Sequence, residues 1–137
     1  MVKPIVKDIL FLRQPSQPAD NADAATAQDL VDTLQVHREH CVGMAANMIG
    51  VRKQLIVFFV GEMPFVMRNP HIVAHSPQSY EAEEGCLSLE GTRTAQRYEW
   101  VEVAYENRQG KPCRNTYRGF TAQIIQHEID HCHGILI

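Results

Sequence analysis

The sequence predicts an α+β fold on three observations. Several short segments have the length and pattern of strands. Two longer segments repeat their apolar residues at helical spacing. The two kinds do not alternate regularly along the chain. A length of 137 residues gives bulk for one core, so residues 1–137 are expected to form a single domain.

In chain order, the opening stretch MVKPIVKDILFLRQP is broken by Lys3, Pro4, Lys7 and Asp8 and lacks the apolar core of a signal peptide. A polar loop is expected at 14–23. A helix is expected over roughly 25–40, where Ala27, Leu30, Val31 and Leu34 share a face and Thr26 with Asp29 resembles a capping box. The stretch CVGMAANMIG at 41–50, rich in glycine and alanine, suggests a backbone that something approaches closely. Strands are expected at 54–60, 64–68 and 71–75. LIVFFV at 55–60 reads as a buried strand, too short to span a bilayer. Residues 98–107 alternate, with Val101, Val103 and Tyr105 on one side and Glu102 and Ala104 on the other. A turn at 108–111 joins them to a partner strand at 113–120. A last helix is expected over 121–133, stopped by Gly134.

Composition narrows the function. Apolar residues make up 45% and charged residues 21%, as in a globular protein. A net charge of −3 gives no electrostatic case for nucleic acid, and no membrane association is expected. Four cysteines, at 41, 86, 113 and 132, form no C-x-x-C pair, so free thiols in a reducing cytoplasm are expected.

The strongest chemical signal is QHEIDH at 126–131. Residues four apart on a helix lie one above the other, so His127 and His131 can share one ion. Glu128 points about 100° away and can handle protons without being a ligand. Ile124, Ile125 and Ile129 turn the helix inward, and histidines carried inward need partners. A third ligand is expected upstream. His133, two positions on, faces the other side and reads as solvated, and Cys132 reads as a packing cysteine. Cys86 in EAEEGCLSLEG is the upstream candidate, against the competing reading of a small buried hydrophobe. That competing reading suits Cys41 and Cys113 better.

Three segments together resemble the peptide deformylases: CVGMAANM at 41–48, EGCLS at 84–88 and QHEIDH at 126–131, in the family's order and spacing. The resemblance implies antiparallel sheets packed around the C-terminal helix that carries HExxH. It implies a divalent ion on Cys86, His127 and His131, Fe²⁺ in the cell with Zn²⁺, Ni²⁺ or Co²⁺ able to substitute. The implied reaction removes the formyl group from N-formylmethionyl peptides of new proteins, with transient association with the ribosome. Glu128 is the implied proton carrier and the Leu87 N–H an oxyanion donor. Val42, Gly43, Leu87 and Ile124 are the implied walls of the methionine pocket. Two positions depart from the family pattern: Cys41 stands for a glycine, and Met48 for a glutamine whose amide is a second oxyanion donor. A thioether donates nothing, so Met48 is expected to lower turnover. A metal-binding relative without efficient hydrolysis is the alternative that Met48 favours and Glu128 disfavours. A peptidase cleaving internal bonds is a third.

Overall fold

The computed structural model describes residues 1–137. A one-turn helix α1 (Ile9–Leu12) and a short 3₁₀ turn (Asn21–Asp23) precede α2 (Ala24–Val36). Ala27, Leu30, Val31 and Leu34 are buried along one stripe of α2, as their spacing requires. Two expectations fail here. The capping box is formed by Asp20 and Asp23, not by Thr26 and Asp29; the Asp29 carboxylate accepts instead from the N-terminal ammonium at 2.9 Å. The helix also stops at Val36 rather than near residue 40. Backbone bonds of three-residue span then carry the chain through His37–His40.

Seven strands follow: β1 (Gly43–Ala45), β2 (Leu55–Val60), β3 (Met63–His75), β4 (Ser79–Cys86), β5 (Leu89–Tyr98), β6 (Trp100–Glu106) and β7 (Pro112–Arg118). All pairings are antiparallel. Five strands form one sheet in the order β1-β2-β3-β6-β7, and β4 with β5 forms a separate hairpin. The unbroken apolar run of β2 has a direct cause, because both its faces are covered. Leu55 and Val57 pack with α2; Ile56 and Phe58 pack with the last helix, α3 (Gly119–Cys132).

The expected strands at 64–68 and 71–75 are one long strand. Asn69 takes a positive φ of 51° and interrupts the pairing with β6 between Arg68 and His71. Its side chain compensates by bonding both backbone groups of Ala19. β6 and β7 lie as the alternation predicts, with Val101, Val103 and Tyr105 buried. Their turn is held by the Asn107 carboxamide oxygen, which accepts from the Gln109 and Lys111 N–H groups.

The β4–β5 hairpin is absent from the sequence expectations, and its composition explains why. SYEAEEGC buries a single residue, Glu84, and β5 buries only Ala95 and Arg97. No apolar stripe marks either strand. Polar bonds fix the hairpin to α3 instead: Gln126 accepts from the Tyr98 N–H at 2.8 Å and donates to the Tyr98 carbonyl at 3.0 Å. Helix α3 is thus enclosed by the large sheet on one side and by the hairpin on another. Ile124, Ile125 and Ile129 are buried as expected, and Gly134 ends the helix region with φ +76°.

Candidate metal centre and its cleft

One helical turn brings His127 and His131 together. Their Nε2 atoms lie 3.1 Å apart with ring centroids at 4.8 Å. His131 is fully buried and His127 nearly so. At the tip of the hairpin, Cys86 brings its sulfur to the same place: the donor atoms of Cys86, His127 and His131 all lie within 4.8 Å of one another. The pairing of β4 with β5 shifts register between Glu84 and Cys86, at Gly85, which turns the two flanking side chains toward the helix.

Glu84 accepts from His127 Nδ1 at 2.8 Å. That bond favours a proton on Nδ1; in a neutral ring, the form a metal ligand takes, Nε2 would keep its lone pair on the side of His131 and Cys86. Glu84 is held in turn by Arg97, whose Nη2 donates at 2.7 Å and Nε at 3.0 Å; Arg97 Nη1 reaches back to Asp130 on α3 at 2.7 Å. Arg97 carries no signal in the sequence, and Asp130, though inside the QHEIDH motif, was given no role there. Glu84 sits inside the EGCLS motif, but its bond to the histidine is visible only in three dimensions.

The electrostatics follow from burial among charges. Burial alone would raise the Glu84 pKa, but the bonds from His127 and Arg97 outweigh it and hold the carboxyl down to about 2. Burial opposes a charge on His127, yet a hydrogen bond with Cys86 and the nearby Glu128 and Glu84 carboxylates outweigh it and push the ring up to about 10. Burial, helped by His127, pushes His131 down to about 3. Glu128 is raised to about 7 by burial.

Glu84 yields a pH prediction for the metal-free protein. The unfolded chain takes up this proton near the ordinary value of 4.5, the folded protein only near 2. Between those values the unfolded state binds more protons, so stability falls as pH falls through the window. Acid unfolding followed by circular dichroism should show that loss, and Glu84→Gln should flatten it. An unchanged profile in the variant would contradict the Glu84 assignment.

A divalent cation fits this set. One thiol and two imidazoles whose donor atoms converge are a set that could hold a divalent ion by three protein ligands, as catalytic sites require. Glu84 and Glu128 add negative charge that a cation would balance. Glu128 is 4% exposed, and its Oε1 has no hydrogen-bond partner.

A cleft of about 430 Å³ opens beside the cluster. Cys86, His127 and Glu128 line it, and so do Val42, Gly43, Leu87 and Ile124. Gly43 has a steric reason to be glycine. A Cβ there would lie 2.7 Å from Ile124 Cγ2 and 3.1 Å from Glu128 Oε2, so its absence lets β1 close on α3. His40, Phe120 and Gln123 also border the cleft and went unsingled in the sequence; Gln123 accepts from the Tyr80 hydroxyl at 3.2 Å. Met48 does not border the cleft. It is fully buried in the cluster that joins α2 to β2, against which Cys86 and Leu87 pack. Asn47 is fully buried too, donating from Nδ2 to the His131 carbonyl at 2.9 Å. All four cysteines are free. Cys132 is buried in the core, and Cys41 lines the cleft with its thiol on the Gly43 carbonyl. His133 is exposed, as its position on the helix predicts.

The comparisons with known proteins agree with one another. The family described as "Polypeptide deformylase" matches residues 2–137. A peptide deformylase of Clostridium beijerinckii is 53% identical over 137 residues, covering all of both chains. The crystal structure of peptide deformylase from Thermotoga maritima superposes with a TM-score of 0.88 at 30% identity, covering 99% of this chain and 95% of that one. A Met-Ala-Ser-bound class I type b peptide deformylase from Acinetobacter baumannii gives 0.88 at 32% identity, covering 99% and 97%. With a full-length match in sequence and in fold, around a cysteine–histidine cluster of the type the motifs imply, the chain belongs to the polypeptide deformylase family.

Proposed function

We propose that Cys86, His127 and His131 hold the catalytic ion of this peptide deformylase, Fe²⁺ in the cell, and that residues 1–137 act as one domain in the cytoplasm on N-formylmethionyl peptides. The observation that carries this reading is the convergence of three donor atoms within 4.8 Å, beside a buried carboxylate and an open cleft. A divalent ion bound there supplies Lewis acidity toward the formyl carbonyl and a lowered pKa for water.

The remaining chemistry belongs to the chain. Glu128 takes the proton of the attacking water and delivers it to the amine as the formyl C–N bond breaks, giving formate and a free methionyl terminus. Burial suits it to both roles, since a carboxyl titrating near neutrality can accept and return a proton. The Leu87 N–H, one residue past Cys86, donates to the oxygen that becomes an oxyanion. Val42, Gly43, Leu87 and Ile124 receive the methionine side chain. Met-Ala-Ser, the peptide in the Acinetobacter baumannii structure, is the product expected from formyl-Met-Ala-Ser. Because its substrates are newly made proteins, transient association with the ribosome is part of the same proposal.

Purified protein loaded anaerobically with Fe²⁺ is expected to release formate from formyl-Met-Ala-Ser. No formate with one ion bound per chain would reject the proposal. Position 48 gives a separate test. Met48 supplies no donor and lies behind the cleft, in the cluster against which Cys86 and Leu87 pack; if an amide there reaches the oxyanion beside Leu87, Met48→Gln raises turnover, by up to on the order of 10²-fold. The same change puts an amide in an apolar cluster and should lower thermal stability. Turnover at or below wild type would show that position 48 does not limit the reaction.

A further inference from the structure

Two buried polar atoms on touching residues have no partner. They are Oδ1 of Asn47 and Nδ1 of His131, and both residues are fully buried. Buried polar groups without partners are rare, and each needs an explanation. Here the residues already touch, because Asn47 Nδ2 donates to the His131 backbone carbonyl at 2.9 Å. The chemistry of the pair is complementary. His131 Nε2 faces His127 Nε2, so a ligand lone pair on Nε2 requires the His131 proton on Nδ1. His127 meets the same requirement by donating to Glu84. His131 has a proton to donate, and Asn47 has an oxygen to accept it.

Resting on the metal centre proposed above, we infer that Asn47 is the positioning residue of His131. Its carboxamide donates to the backbone carbonyl and takes up the Nδ1–H through one buried water that bridges the two unpartnered atoms. This holds the imidazole in the tautomer and orientation that present Nε2 to the ion. Asn47 acts toward His131 as Glu84 acts toward His127, but without adding charge. The cluster is therefore asymmetric, with one ligand backed by a carboxylate and the other by a neutral amide. Asn47 immediately precedes Met48, so the loop that lacks an oxyanion donor at one position supplies an orienting amide at the next.

Residues that orient a metal-bound histidine typically contribute 10–100-fold in metal affinity. Co²⁺ binding to metal-free protein, read by the thiolate-to-cobalt charge-transfer band and by competition with a chelator, provides the test. Asn47→Leu should weaken Co²⁺ binding by 10–100-fold and alter the ligand-field bands. Asn47→Asp should bind more tightly than Asn47→Leu, because a protonated carboxyl can reproduce both bonds. In Zn²⁺-loaded protein, the slowly exchanging His131 Nδ1–H proton resonance should shift or vanish in Asn47→Leu. Thermal melts of the metal-free variants confirm that they fold.

Co²⁺ affinity and spectrum equal to wild type in folded Asn47→Leu would overturn the inference. So would loss of the His131 resonance in Ser16→Ala with its retention in Asn47→Leu. Ser16 Oγ is the rival acceptor, a buried, unpartnered hydroxyl on a residue whose N–H meets the Cys132 carbonyl. A wild-type protein that binds Co²⁺ without any thiolate band would instead reject the proposed centre, and the inference with it.

Discussion

Glu128→Ala is expected to bind one divalent ion per chain as wild type does and to lose formate release by 10²–10⁴-fold or more. The magnitude is that of a positioned proton carrier. The separation of binding from turnover follows from geometry. Glu128 lies on the same helix as both histidines but is not among the three donors that converge. Its carboxylate instead reaches the cleft beside Gly43. Metal analysis with the formate assay checks both halves. Retained turnover would remove Glu128 from the mechanism. Lost metal would mean that it serves the ion rather than the water.

The second large effect concerns Arg97. This guanidinium is 5% exposed and joins Glu84 on the hairpin to Asp130 on α3. Arg97→Leu takes from buried Glu84 the guanidinium that holds both its oxygens and leaves it only His127. Breaking a buried pair from one side costs about 3–5 kcal/mol, against a total stability of about 5–15 kcal/mol for a domain. At this chain length the loss corresponds to a fall in Tm of roughly 10–20 °C. The same change frees Glu84 from the geometry that orients His127, so metal affinity should fall as well. Thermal unfolding and chelator competition on one preparation would test both. A variant with wild-type Tm would show that the network is dispensable and that apolar packing alone seats the hairpin.

The contrast between Arg97 and α3 shows what was legible in the sequence. The two histidines and Glu128 were readable because helix geometry alone fixes residues four apart on one face. β2 was readable because both its faces are covered by helices, so its pattern is continuous. The sulfur was a different matter. Its position depends on a hairpin held by Gln126, Glu84 and Arg97 through polar bonds, and no hydrophobic period announces such strands. The lack of a downstream ligand made Cys86 in EAEEGCLSLEG a candidate, and the resemblance of EGCLS to the family motif singled it out from the reading of a small buried hydrophobe. Asn69 hid the continuity of β3, because a bulge at an Asn-Pro pair looks in sequence like a break between strands. The amide of Asn47 was legible only as an unfavoured stand-in for the one missing at Met48, because its bond is to a helix residue 84 positions later.

Whether a sulfur from the hairpin tip and two imidazoles of the last helix share one ion is measured most directly by X-ray absorption at the zinc edge of Zn²⁺-loaded protein. The expected spectrum has one sulfur at about 2.3 Å and imidazole nitrogens at about 2.0–2.1 Å, with the sulfur shell absent in Cys86→Ser. A spectrum with no sulfur in wild type, or one whose sulfur survives Cys86→Ser, would contradict the assignment.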